Sequence, residues 1–181
     1  AARSRESLER GAFENPCPKC GGALGWQLVD ESAALDPRSS YAASKVAQEH
    51  YAVAWARQSP GAAISLRYHN VYGAGMPRDT PYSGVAAMFR SSLERGEAPV
   101  VFEDGGQMRD FVHVEDVARA NVAAVLAVVD RADGSHSAYN VCSGRAVAIR
   151  EVLDMLLARA RVPIRIVTDP ARYRPNDQPL V

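Results

Sequence analysis

From Ser39 onward the hydrophobic period changes repeatedly between helical and strand-like spacing, and few architectures accommodate such a pattern. After Ser39, a hydroxyl-bearing cap position, Ala42, Val46, Ala47, Tyr51, Ala54 and Trp55 recur at helical spacing until SPG breaks the run at 59–61. AAISLRYHNVYG passes from apolar to polar residues and a glycine, which predicts a buried strand whose C-terminal end presents Tyr68, His69 and Asn70. The loop GAGMPRDTPYSG leads into VAAMFRSSLERG, where Val85, Met88, Phe89 and Leu93 mark one helical face. PVVFEDG and RDFVHV read as short strands separated by the turn-forming DGGQM. VEDVARANVAAVLAVVD predicts a core-facing helix, apolar at Val117, Ala120, Ala124, Leu126 and Val128, with acids in its first turn where the helix dipole favours them. SAYNVCSG is a further strand, VAIREVLDMLLARA a further amphipathic helix and IRIVTD a last strand. Helices alternating with strands predict an α/β protein. Residues 1–37, by contrast, show no sustained periodicity and read as an insertion or long loop.

Composition narrows the partners. The 181 residues are 47% hydrophobic, enough for one globular domain with a sizeable core or a large piece of a bigger one. Twenty-one basic and twenty-one acidic side chains cancel, so net charge gives no argument for nucleic acid or a membrane surface, and a small molecule is the simpler expectation. No apolar run approaches the ~20 residues that span a bilayer, and AARSRESLERG lacks the apolar core of a secretory signal. Three cysteines, an odd number, do not form a disulfide framework, and the chain reads as cytoplasmic.

Within SSYAASKVAQEHY, Tyr41 stands four residues before Lys45, which puts phenol and ammonium on one helix face. A free tyrosine has a pKa of ~10, so work near neutral pH needs a stabilised phenolate, and a shift of ~3 units represents ~4 kcal/mol. A close cation can supply part of that. An exposed helix with an accidental spacing is the plainer alternative.

Together, YAASK, LRYHNVYG, GGQMRDFVHVEDVARA, YNVCSG and RPND, in that order, resemble the extended short-chain dehydrogenase/reductase family, and within it the NAD-dependent nucleotide-sugar epimerases and dehydratases of the UDP-glucose 4-epimerase kind. The resemblance runs from about residue 28 to the C-terminus, with RDFVHVEDVARA its most specific element. It implies that Tyr41 is the proton-transfer base and that Lys45 binds the nicotinamide ribose and lowers the Tyr41 pKa. It places Tyr68 and His69 by the cofactor and Asn70 by the sugar diphosphate, and makes Arg109 and Arg174 the arginines that clasp the diphosphate. Guanidinium suits that task because its paired donors stay charged. Val101 and Phe102 match the segment flanking the nucleotide base. Blander readings stay open: a strand-end histidine at position 69, solvated arginines at 109 and 174, and plain core at 101 and 102.

The resemblance further implies NAD as cofactor, with NADP left open, a nucleotide-sugar substrate and a homodimer through the Tyr41 helix and the helix after it. Its fold would be a partial Rossmann-like core at 38–75 and 114–145 with a small α/β substrate-binding subdomain at 76–113 and 146–181. A full member opens with a G-x-x-G-x-x-G turn and the first strands of the dinucleotide-binding sheet. GGALG at 21–25 has the wrong spacing, so the chain reads as the C-terminal half to two-thirds of such an enzyme. The family's catalytic Ser or Thr falls in the 1–37 region, where neither Ser4 nor Ser7 has the expected strand context, and no catalytic serine is assigned. The expected reaction is epimerisation, at C4 of a dTDP- or UDP-hexose. A dehydratase or reductase is the nearest rival, and a non-catalytic fragment or subunit that binds a nucleotide sugar or a partner protein is a rival of another class.

Cys17 and Cys20, in NPCPKCGG, look like half of a zinc ribbon, but a structural site needs four ligands and Cys142 reads as a buried small hydrophobe. No metal is assigned. Cysteine-bearing inserts of this kind, and TPYSGV, are similar to those of a bacterial subgroup that includes dTDP-L-rhamnose 4-epimerases.

Overall fold

Ser39 sets the start of the first long helix by accepting the Ala42 N–H on its hydroxyl at 3.1 Å. The structure is a computed structural model and describes residues 4–77, 84–160 and 167–169. Element order is α1 (Arg5–Glu9), α2 (Ser40–Gln58), β1 (Ala63–Tyr68), β2 (Asn70–Tyr72), α3 (Val85–Glu94), β3 (Val100–Phe102), β4 (Met108–His113), α4 (Val114–Val128), β5 (His136–Val141), β6 (Ala146–Ala148), α5 (Ile149–Leu157) and β7 (Val167–Asp169). The chain is α/β and divides into two compact units. The first holds Val29–Val71 and Val112–Ser143, the second Ala1–Leu28, Tyr72–Phe111 and Gly144–Val181.

In the first unit β1 pairs parallel with β5, in register from Ala63↔His136 to Tyr68↔Val141. Alternate strand residues point to opposite faces, and the contacts follow that rule. Arg67 reaches Glu49 on α2, whereas Tyr68 reaches Asn121 on α4, so the two helices cover opposite faces of the pair. Ile64, Leu66, Tyr139 and Val141 face Ala120 and Ala124 of α4 across a cavity of about 520 Å³. No β1 residue is fully buried, a correction to the buried strand that its apolar run predicts.

Two helical faces also differ from expectation. On α2 the inward stripe is Ala42, Val46, Glu49, Val53 and Ala56, while Tyr51, Ala54 and Trp55 are exposed. Tyr51 follows Val46 by five residues, which carries it ~140° round the helix at 3.6 residues per turn. Apolar spacing misleads here because the inward stripe contains an acid. Helix α4 has no fully buried residue; Val117, Ala120, Ala124 and Val128 are half-buried, and Leu126, two residues past Ala124, points outward. Val122, Val125, Leu126 and Val129 are each 60–69% exposed.

The second unit carries a core cluster of Phe89, Val101 and Leu153, from α3, β3 and α5, with Val85, Ile149, Leu156 and Leu157 packed against it. Each buried side chain of this size contributes ~1.5–3 kcal/mol. Met88, expected on the packed face of α3, is exposed. Strand β3 pairs parallel with β7, and β4 pairs antiparallel with β6 in the register Arg109↔Val147. The 1–37 segment contains one helix that periodicity does not reveal, α1, capped by Ser4 and anchored by the buried Leu8. A single turn is too short to show a period.

Candidate active site

Tyr41 and Lys45 occupy the first two turns of α2, the part that the Ser39 cap holds in place. Lys45 Nζ lies 5.5 Å from the centroid of the Tyr41 ring, the geometry of a cation over an aromatic face, and reaches Gln48 Oε1 at 3.5 Å. Tyr41 is 67% exposed, so the phenol is open to a ligand. The pair therefore offers a hydroxyl and an ammonium group on one accessible face.

At the C-terminal end of β1 the Tyr68 hydroxyl donates to Asn121 Oδ1 at 2.9 Å, and Asn121 Nδ2 donates to the Val117 carbonyl at 2.7 Å. The second bond fixes which end of the Asn121 amide faces Tyr68. His69 N–H donates to the Val141 carbonyl at 3.1 Å, continuing the parallel ladder past Tyr68, and its side chain is half-buried. Asn70 opens β2 and is also half-buried. The first unit thus contains Tyr41, Lys45, Tyr68, His69 and Asn70.

Several residues that brace this unit carry no conspicuous sequence signal. Glu31 Oε1 accepts the Asn140 backbone N–H at 2.7 Å, its carbonyl accepts Arg67 Nη1 at 3.2 Å, and Asn140 Nδ2 donates to the Val29 carbonyl at 3.0 Å. The Asn140 N–H lowers the Glu31 carboxyl below its usual pKa. Part of the segment read as an insertion is thereby tied to β5. Arg67 and Glu49 were discoverable only as a lone arginine within an apolar strand and a lone acid on a helix stripe.

In the second unit Val101 is completely buried within the core cluster, and Phe102 beside it is half-buried. Arg109 is half-buried on β4 and donates from Nη1 to the Met108 carbonyl at 2.7 Å. Buried Glu103 has φ +58 and accepts Gln107 Nε2 at 2.8 Å, bracing the turn between β3 and β4. Arg174 lies outside the described residues. Cys17 and Cys20 are free thiols, and backbone N–H groups of Lys19 and then Cys20 lower the Cys17 thiol below its usual pKa. Cys142 is exposed at the cavity beyond β5, not buried as its neighbours in sequence imply, because it stands just past the last residue of the strand.

The family model described as NAD dependent epimerase/dehydratase family matches residues 24–142. The dTDP-L-rhamnose 4-epimerase of Burkholderia thailandensis is 33% identical over 127 residues, 70% of this chain and 34% of the relative. A GDP-6-deoxy-D-mannose reductase of Pseudomonas aeruginosa is 32% identical over 152 residues, covering 83% of this chain and 48% of its own length. Among solved structures, the Thermus thermophilus UDP-glucose 4-epimerase in complex with NAD superposes with a TM-score of 0.66 at 31% identity, over 92% of this chain and 50% of that one. The chain spans half or less of the length of these relatives. Its parallel β1–β5 pair between α2 and α4 is part of the Rossmann-like α/β fold that such epimerases share. By its motifs, its fold and a family match over most of its length, this chain belongs to the NAD dependent epimerase/dehydratase family.

Proposed function

We propose that the chain carries the base and the sugar-facing residues of an NAD-dependent nucleotide-sugar epimerase acting at C4 of a dTDP- or UDP-hexose through a transient keto sugar. The observation that carries this reading is the Tyr41–Lys45 pair, with Nζ 5.5 Å from the ring centroid on an exposed helix face. That donor set fits the nicotinamide-ribose end of NAD, since ribose hydroxyls seek a charged donor and a phenol. When bound, NAD supplies the exchange of hydride with the sugar carbon. Tyr41 takes the proton of the sugar hydroxyl and later returns it, while Lys45 offsets the charge on the phenolate.

Tyr68 and His69 line the nicotinamide side in this reading, and Asn70, Phe102, Arg109 and Arg174 the sugar nucleotide. Val101 contributes through its main chain, because its side chain is sealed in the core. The dinucleotide side comprises 38–75 and 114–145, the sugar side 76–113 and 146–181, and 1–37 is an insertion. The protein acts as a cytoplasmic homodimer through α2 and the helix after it, and NADP is the alternative cofactor.

Reduction is a second reading, favoured by the 32% identity to a sugar-nucleotide reductase. Mass spectrometry and NMR of the products separate the readings after incubation of each dTDP- or UDP-hexose with NAD(P), and of its keto form with NAD(P)H. A stereoisomer of unchanged mass supports epimerisation, loss of water supports a dehydratase, and net consumption of NAD(P)H supports reduction. Sugar-nucleotide binding with no turnover and no retained NAD overturns the catalytic reading in favour of a binding role.

A further inference from the structure

The loop around Cys17 and Cys20 has no part in the reaction proposed above, yet it is built in detail. Cys17 N–H donates to the Gly22 carbonyl at 2.8 Å and Gly21 N–H to the Cys17 carbonyl at 2.8 Å, while Pro16 and Ala23 form an antiparallel bridge. The chain therefore doubles back over six residues. Gly21 holds φ +72, a backbone conformation that side-chain-bearing residues rarely adopt, which lets the turn close directly after Cys20. Pro18 has no N–H to give. The backbone N–H groups of Lys19 and Cys20, and then the Cys20 thiol, lower the Cys17 thiol below its usual pKa.

The bonds that close this hairpin are all backbone bonds and need no cysteine side chain. Two thiols at positions i and i+3 of a turn closed in this way supply one edge of a tetrahedral thiolate site. Cys20 is exposed and Cys17 half-buried, so an ion can approach from solvent. Among the described residues no third His, Cys, Asp or Glu gathers with them, so the loop offers two ligands of the four required.

We propose that Cys17 and Cys20 are half of a tetrahedral site for a zinc-class divalent ion, completed by two donors from outside the loop. Thiolate sulfur selects such ions over calcium and magnesium, which prefer oxygen. On binding, two S–H bonds break and two metal–sulfur bonds form, and both protons leave to solvent. No oxidant or reductant is involved.

The test is titration of the reduced chain with Co²⁺, reading the thiolate-to-cobalt charge-transfer band and its loss on addition of Zn²⁺. The expected result is a saturable band whose affinity falls at least ~100-fold in C17S and in C20S, since even changes behind the ligands cost 10–100-fold. C142S leaves it unchanged, and far-UV circular dichroism shows that each variant is folded. One ion per two chains with four-thiolate intensity identifies a second copy of the loop as the source of the remaining ligands. One ion per chain with two-thiolate intensity identifies water or non-thiol donors, and either stoichiometry supports the half-site. Absence of the band, or a band that survives C17S and C20S, overturns the proposal. The readout involves no sugar and no turnover, so it stands or fails apart from the epimerase reading.

Discussion

Arg67 grips Glu49 at two points, with Nε 2.9 Å from Oε2 and Nη2 2.5 Å from Oε1, where the two side chains are 24% and 17% exposed. A two-point guanidinium–carboxylate contact fixes orientation as well as distance. It joins the strand that ends at Tyr68 to the helix that begins with Tyr41 and Lys45. The bond from Arg67 holds the Glu49 carboxyl below its usual pKa.

Because Glu49 titrates lower in the folded chain, its contribution is complete above the ordinary glutamate value of ~4.3 and is lost as pH falls through the depressed folded value. Glu49→Gln is expected to lower stability by ~1–3 kcal/mol at pH 7. The gap to the wild type closes in acid, where both side chains are neutral. Urea melts at neutral and acidic pH check this, and an equal gap at both would show that the charge is irrelevant.

Removing the cap of α2 tests how the site is held. Ser39→Ala leaves the Ala42 N–H without its side-chain acceptor and is expected to cost ~1 kcal/mol. Amide hydrogen exchange should accelerate in the first turn, around Tyr41, with the C-terminal half of α2 unchanged.

Two glycines separate crowding from backbone strain. Gly105 has φ +76, and a Cβ there would lie 2.8 Å from Val101 Cγ1 and 3.1 Å from Arg150 Cβ; Gly96 has φ +71 and open space around it. Gly96→Ala is expected to cost ~1–2 kcal/mol, the strain of a left-handed residue alone. Gly105→Ala should cost ~1–3 kcal/mol more, because the core must shift. Thermal melts of both variants give the comparison.

Tyr41→Phe removes the hydroxyl from a residue that is 67% exposed, so the melting temperature is expected to stay put. If Tyr41 is the base, kcat for sugar interconversion falls by ~10²–10⁴. Retention of activity in Tyr41→Phe would remove Tyr41 from that role.

The α/β alternation was readable because α2, α3, α4 and α5 span two or more turns and β1, β4 and β5 are six residues each, enough for a period to show. The Tyr41–Lys45 pair was readable for the same reason, since both partners sit on one element. Glu31 and Asn140 are 109 residues apart in sequence, and Tyr68 and Asn121 are 53 apart, and no local pattern encodes such bonds. Facing was the weakest inference. Glu49 sits inward with Arg67 as its partner, whereas Tyr51, Trp55 and Leu126 sit outward, so hydrophobicity by itself assigned them wrongly.

The outer side of α4 has a practical consequence. Val122, Val125, Leu126 and Val129 present an unbroken aliphatic ridge to water. Salts excluded from protein surfaces strengthen apolar burial, so this ridge is expected to make the chain salt out early and bind alkyl chromatography resins, which a sulfate gradient on such a resin checks.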